Sequence, residues 1–254
     1  MTQTTPPVDV LAGWQRGTYV ARGISHDVYR RGSGPGVIVI HEIPGITPAV
    51  ARFANEVVDA GFSVTMPLLV GEAGREVSVG YSFRSISKVC VAKEFTNWAT
   101  GVTSPVIEWL RDLAESIHAE CGGAGVGAVG MCFSGGFALG MMVSPSVVAP
   151  VLSQPSMPFA VGRRRSADLG VSSADLAVAR ARAQHGCDVM GLRFTGDRLV
   201  GSRFATLRAE FGEHFLAVEL PSEHVTDHSV LTEQRDDSAV QAVLDFFRAR
   251  LLAD

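Results

Sequence analysis

Two rhythms of hydrophobic positions take turns along this chain. Gly36-Val37-Ile38-Val39-Ile40 is a continuous apolar run, as expected of a strand buried on both faces. From Pro48 to Ala60, Val50, Phe53, Ala54, Val57 and Val58 fall at helical spacing, and the pattern stops at Gly61. Phe62 to Met66 reads as the next strand, closed by Pro67. Thr103-Ser104-Pro105 opens a helix running to about Glu120, with Ser104 as its cap and Pro105 in its first turn. Strand Val126–Val129 follows, then a helical segment from near Phe133, strand Val147–Leu152, a loop, a helix near Ser173–Gln184 and strand Met190–Thr195. A helix near Ser202–Glu210, strand Phe215–Leu220 and a last helix from Asp237 to Leu251 complete the order. Ahead of these, Thr18 to Tyr29 alternates loosely into Arg30-Arg31-Gly32-Ser33-Gly34, the signature of an antiparallel hairpin at a sheet edge.

Strands alternating with helices predict an α/β fold: a mostly parallel, doubly wound sheet with helices on both faces. With neither an internal repeat nor a linker, residues 1–254 are expected to form one domain, with residues 1–7 as a mobile tail. Val70 to Gly101 fits the rhythm least well. It contains Arg84, Lys88, Lys93, Phe95 and Trp98, and two readings are open: a cap over a site, or an ordinary surface helix with its loops.

Composition narrows the class of partner. Hydrophobic residues make up 46% of the chain and charged ones 19%, which describes a well-buried globular protein. A net charge of -4 gives no basic footprint for nucleic acid. No apolar run reaches membrane-spanning length, and Met1 to Pro7 lacks the basic and apolar regions of a signal peptide. Cys90, Cys121, Cys132 and Cys187 show no CxxC spacing and read as reduced thiols of a cytoplasmic protein. The expectation is a small-molecule substrate for a monomer or homodimer, with no nucleic acid, membrane, cofactor or metal. Gly125 to Gly130 satisfies GxGxxG but lies in and before a strand, so it is a poor dinucleotide site. Arg163-Arg164-Arg165 reads as a solvated basic run in a loop, or as a hold for an anionic substrate.

The candidate chemistry centres on Gly130-Met131-Cys132-Phe133-Ser134-Gly135, where a strand runs into a helix. A nucleophile elbow needs small residues two before and two after the nucleophile, because the turn crowds its own backbone. Gly130 and Ser134 meet that need around Cys132. A helix N-terminus beneath the thiol would favour the thiolate; the alternative is a buried structural cysteine. Strand Met190–Thr195 runs into Gly196-Asp197, and strand Phe215–Leu220 into a loop holding His224 and His228. The order Cys132, Asp197, His228 is the nucleophile, acid, histidine order of the α/β hydrolases. His228 is favoured over His224 because Val230 and Leu231 beside it can pack inward and fix the ring. His41-Glu42-Ile43-Pro44-Gly45 ends the first buried strand and is no HExxH zinc motif. In such a fold the oxyanion-hole amides would be those of Ile43 and Phe133. Glu42, a carboxylate at the end of a buried strand, is either functional, a structural ion pair or a solvated loop residue.

Together, HEIPG, GMCFSGG, TGD and DHS resemble the dienelactone hydrolase family over about Ile38 to Leu251. That resemblance implies the α/β-hydrolase fold and a Cys–Asp–His triad cleaving a small ester or lactone through a covalent acyl-enzyme. It assigns the triad to Cys132, Asp197 and His228, and thiol activation to Glu42. Two activating routes are open for Glu42: accepting the thiol proton and swinging away, or pairing with an arginine until substrate arrives. The founding members place a carboxylate-binding arginine four residues beyond the catalytic histidine; here that position is Thr232. The rival readings are a thioesterase or general carboxylesterase with the same triad, and a non-catalytic binding protein that kept the fold.

Overall fold

The structure, a computed structural model, describes residues 9–91, 94–95 and 100–252. The expected tail at 1–7 lies outside the described residues, as do Lys93 and Trp98. Eight strands form one sheet in the order β1-β2-β4-β3-β5-β6-β7-β8. The hairpin β1 (Gln15–Ala21) and β2 (Ile24–Arg31) is antiparallel at one edge, and β2 pairs antiparallel with β4 (Ser63–Leu68). From β4 onward, through β3 (Gly36–Ile40), β5 (Val126–Met131), β6 (Val147–Ser153), β7 (Val189–Phe194) and β8 (Phe215–Leu220), every pairing is parallel.

All five residues of β3 are buried, as its unbroken apolar run requires. Ile38 and Ile40 face one core, and Val37 and Val39 the other. The first core packs under α3 (Pro105–Cys121), α4 (Phe137–Met141), α6 (Ser173–Gln184) and α7 (Arg203–Phe211). The second packs under α1 (Pro48–Asp59) and α8 (Asp237–Leu251). Thr47 caps α1 by accepting from Val50 N, and Asp236 caps α8 by accepting from Ala239 N. The remaining helices are α2 (Val79–Val91) and α5 (Gly162–Ala167). Among the described residues, no helix is long and apolar enough to cross a membrane.

Four local expectations are corrected. Pro67 does not end its strand: it pairs with Val28 inside β4, beyond Thr65, the last β4 residue that β3 pairs, so its missing N–H breaks no bond to β3. Ser104 occupies the N-cap position of α3 without a side-chain cap bond, because the Val106 amide donates instead to Glu94 O at 3.1 Å. The Arg163–Arg165 run lies in α5, not in a loop. The segment after Cys132 is a single 3-10 turn, Cys132–Ser134, and regular helix begins only at Phe137. Gly135 and Gly136 separate the two, so little aligned helix dipole lies beneath the thiol.

Candidate active site

The parallel strands all end at one edge of the sheet, where loops from different strands converge. Cys132 begins the turn after β5 with a left-handed φ of 55°. Its neighbours leave no room for larger residues. A Cβ on Gly130 would stand 2.1 Å from Ser134 O, and one on Gly135 would stand 2.6 Å from Pro155 Cα. The Ser134 hydroxyl accepts from Met131 N at 2.9 Å and reaches His41 O at 3.0 Å, which ties the elbow to the end of β3. The Cys132 Sγ is 3.3 Å from Ser156 Oγ, and Ser156 N donates to Cys132 O at 3.0 Å.

After β7, Asp197 is buried; its Oδ1 accepts from Leu199 N at 2.9 Å. Its Oδ2 meets His228 Nδ1 at 2.6 Å. That contact leaves Nε2 as the ring nitrogen free to serve the sulfur. Nε2 is buried without a partner of ordinary hydrogen-bond geometry among the described residues, yet Cys132 lies close enough for a thiolate to couple to the ring. Burial alone would lower the His228 pKa, but the Cys132 charge and Asp197 outweigh it and raise it to about 11. His224 is exposed, and its backbone N–H, with that of Glu223, donates to Asp227 Oδ2 at 2.8 Å in a tight turn.

Glu42 is buried and, among the described residues, accepts three hydrogen bonds, none from a cation. Thr232 Oγ1 donates to Oε1; Ser229 Oγ at 2.7 Å and Gln154 Nε2 at 3.3 Å donate to Oε2. Burial pushes its pKa up, against the pull of the Thr232 and Ser229 hydroxyls and the His228 charge. Glu42 is thus bonded to the residues one and four beyond His228, and of its two expected activating routes the pairing with an arginine finds no arginine among its described partners. His41 is buried beside it. Its Nδ1–H donates to Glu42 O at 2.7 Å, and its Nε2 accepts from Leu69 N at 3.0 Å. Burial lowers its pKa to about 4, so the ring is neutral.

Ile43, Phe133 and Cys132 meet at one cavity of about 200 Å³, which Ser156 also lines. Helix α2 supplies a wall through Ile86 and Val89, and is docked by Ser85 Oγ donating to Pro44 O at 2.9 Å. Helix α2, from the segment that fitted the sequence rhythm least well, therefore lies over the site. A larger depression, about 500 Å³, surrounds Cys187 at the opposite edge of the sheet. Its Arg182 is engaged by the Met142 and Ser144 carbonyls, and its Arg250 by Asp188. Among the described residues there is no cluster of three or more metal-ligating side chains.

Sequence reasoning missed Ser156 and Arg203. Ser156 follows β6 at the same edge as the other groups, and that position was the available signal. Arg203 is fully buried and donates to the carbonyls of Pro158, Arg165, Asp168, Leu199 and Val200. Its contacts join the cavity wall to the Asp197 loop.

The model of the dienelactone hydrolase family matches residues 24–156. No curated protein matches the chain. Among solved structures, a dienelactone hydrolase from Anabaena variabilis superposes with a TM-score of 0.64 at 13% identity, over 94% of this chain and 99% of that one. A dienelactone hydrolase-like promiscuous phosphotriesterase from metagenomic libraries gives 0.62 at 16% identity, over 94% and 98%. A cold-adapted esterase from an Arctic intertidal metagenomic library gives 0.61 at 16% identity, over 94% of each chain. At such identities the structural likeness shows the fold. The family match ends at Ser156, ahead of Asp197 and His228, whose pairing rests on their geometry.

Proposed function

Because the chain belongs to the dienelactone hydrolase family, we propose that this hydrolase uses Cys132 to cleave a small carboxylic ester or lactone. The observation that carries the reading is the His228 ring, bonded through Nδ1 to buried Asp197 at 2.6 Å, with Cys132 heading the turn after β5 at the same end of the sheet. A protonated imidazole beside the sulfur favours the attacking thiolate. In this scheme the thiolate adds to the carbonyl carbon, and the oxyanion is held by the Ile43 and Phe133 amides. The tetrahedral adduct collapses as the carbon–oxygen bond breaks, and His228 gives its proton to the leaving alkoxide. The neutral ring then takes a proton from water, whose oxygen attacks the thioester carbon; the carbon–sulfur bond breaks, the acid leaves, and the Cys132 thiolate and protonated ring are restored. Asp197 holds the ring orientation throughout. Glu42 bonds Ser229 and Thr232 and so positions the His228 loop.

A general carboxylesterase with the same triad is the second reading. It is favoured by the hydroxyl of Thr232, engaged by Glu42, at the position of the family's carboxylate-binding arginine. The free thiols of Cys121, Cys132 and Cys187 fit the cytoplasmic location we propose. The test is a screen of p-nitrophenyl esters, thioesters and unsaturated lactones with wild type and Cys132→Ala. Turnover should fall by at least about 10³-fold in a folded variant. Retained turnover would remove Cys132 as nucleophile, and wild-type turnover of none of the three classes would favour a binding protein.

A further inference from the structure

We infer, on the basis of that hydrolase reading, that the site takes uncharged apolar acyl groups and rejects acyl groups that carry a carboxylate. The cavity beside Cys132 measures about 200 Å³, below the roughly 300–1,000 Å³ of drug-sized ligand sites. Among the described residues its polar side chains are Cys132 and Ser156, and these already contact each other at 3.3 Å. Ile86, Val89, Met157, Phe159 and Leu199 form much of the wall. Behind Phe133 the second layer is Phe95 and Phe137, with the neutral ring of His41 tilted against the same ring. No Lys, Arg or His lines the cavity among the described residues.

Of the cationic groups nearest the sulfur, the His228 ring is bonded to Asp197 at 2.6 Å. Arg203 is bound to five backbone carbonyls, and Arg52 donates to Thr232 O at 3.0 Å. The Thr232 hydroxyl, at the position of the family arginine, donates to Glu42. A carboxylate entering this cavity would leave its water, and among the described residues the side chains that line it offer no counter-charge, which strongly disfavours it. A methyl group at the same place gains from burial.

The inference is tested on Cys132 itself with two haloacetyl reagents of nearly equal size, iodoacetamide and iodoacetate. With either, the sulfur bonds the methylene carbon as the carbon–iodine bond breaks and iodide leaves. Rates are read on the full chain by mass spectrometry at Cys132 and divided by those for 2-mercaptoethanol. Salt at about 0.5 M screens the net charge of -4. The normalised preference for iodoacetamide should be at least about tenfold, and Ile86→Arg, which brings a cation to the wall, should narrow it. A normalised ratio near one, or a preference for iodoacetate, overturns the inference. Should Ile86→Arg fail to fold, the wild-type ratio alone decides.

A second arm compares p-nitrophenyl pentanoate with p-nitrophenyl hemiglutarate, whose acyl chains match in length and differ in a terminal methyl or carboxylate. Hydrolysis of the pentanoate only is expected. Equal kcat/KM for both overturns the inference while the hydrolase reading stands. A skewed alkylation ratio with neither ester cleaved supports the apolar site and counts against the hydrolase reading.

Discussion

Cys132 holds a left-handed backbone that a non-glycine residue adopts at a cost of about 1–3 kcal/mol. The Ser134 hydroxyl, bonded to Met131 N and reaching the His41 carbonyl, locks that turn against the end of β3. The strained conformation lifts the sulfur out of the strand, toward Ser156 and the cavity. The two loop histidines then separate by their contacts: His228 lies against buried Asp197, whereas His224 is exposed in an Asp227-capped turn. His228→Ala should therefore lower kcat/KM by about 10²–10⁴-fold, and His224→Ala should leave it within about twofold, given its exposed position. Steady-state kinetics on one p-nitrophenyl ester ranks the two, and the reverse order would move the base to His224. Glu42→Gln keeps the shape of the carboxylate, and the hydroxyls of Ser229 and Thr232 can accept as well as donate, so the variant should fold. Burial raises the Glu42 pKa, so its charge changes above the ordinary carboxylate range. Its substitution should lower kcat by about tenfold, less than Cys132→Ala, because the proposed base, His228, remains. It should also remove the limb of the pH–rate profile that lies above that range. An unchanged kcat and an unchanged profile would make Glu42 a purely structural acid.

Elements announced themselves in the sequence where burial is one-sided or complete. The runs that became β3 and β8, and the helical spacing behind α1, α6 and α8, stand within a residue of their expected bounds. Helix α5 was not legible, because none of its residues is buried and so no hydrophobic period exists to read. The elbow helix was overestimated because Phe137, Ala138 and Leu139 continue the apolar pattern past two glycines that hold the chain in a 3-10 turn. Cys132, Asp197 and His228 could be singled out since each follows a strand at the same edge. Arg203 could not, because its partners are backbone carbonyls, which every residue has. Those bonds fasten Pro158, Arg165 and Asp168 to Leu199 and Val200, so one helix-borne side chain holds two loops of the site. Arg203→Met should cost about 3 kcal/mol or more, by leaving buried acceptors unpaired. It should also lower kcat/KM by loosening the Asp197 loop. Urea unfolding and ester kinetics check both effects. Arg203→Lys should recover only part, since an ammonium lacks the planar fork. Full stability in Arg203→Met would show that the carbonyls find other donors.

Stability of the whole molecule should depend on pH through groups at the site, with opposite signs. Burial raises the Glu42 pKa, so its contribution is present below the ordinary carboxylate value and declines as pH rises above it. The His228 pKa is raised to about 11, so its contribution is complete below about 6.5 and is lost as pH climbs through the folded value. His41 acts the other way. Its folded pKa is lowered to about 4 by burial, with help from the His26 charge, although its bond to the Glu42 carbonyl partly opposes the shift. Between about 4 and 6.5 the unfolded chain therefore binds a proton at this position that the folded chain refuses. Stability from His41 is present above that window and lost as pH falls through it. His228 is charged in both states there, so it contributes no slope. Lowering pH from 7 to 4.5 should remove about 2 kcal/mol through His41 alone. His41→Gln keeps an oxygen to accept from Leu69 N and cannot titrate. Urea midpoints of both proteins at the two pH values isolate the effect, since Glu42 and the surface carboxylates are common to both. The wild type should lose about 2 kcal/mol more than the variant on acidification. Equal losses would mean that a solvated path lets the His41 ring protonate in the folded state, and that the loop carrying Glu42 and Ile43 opens as the pH falls.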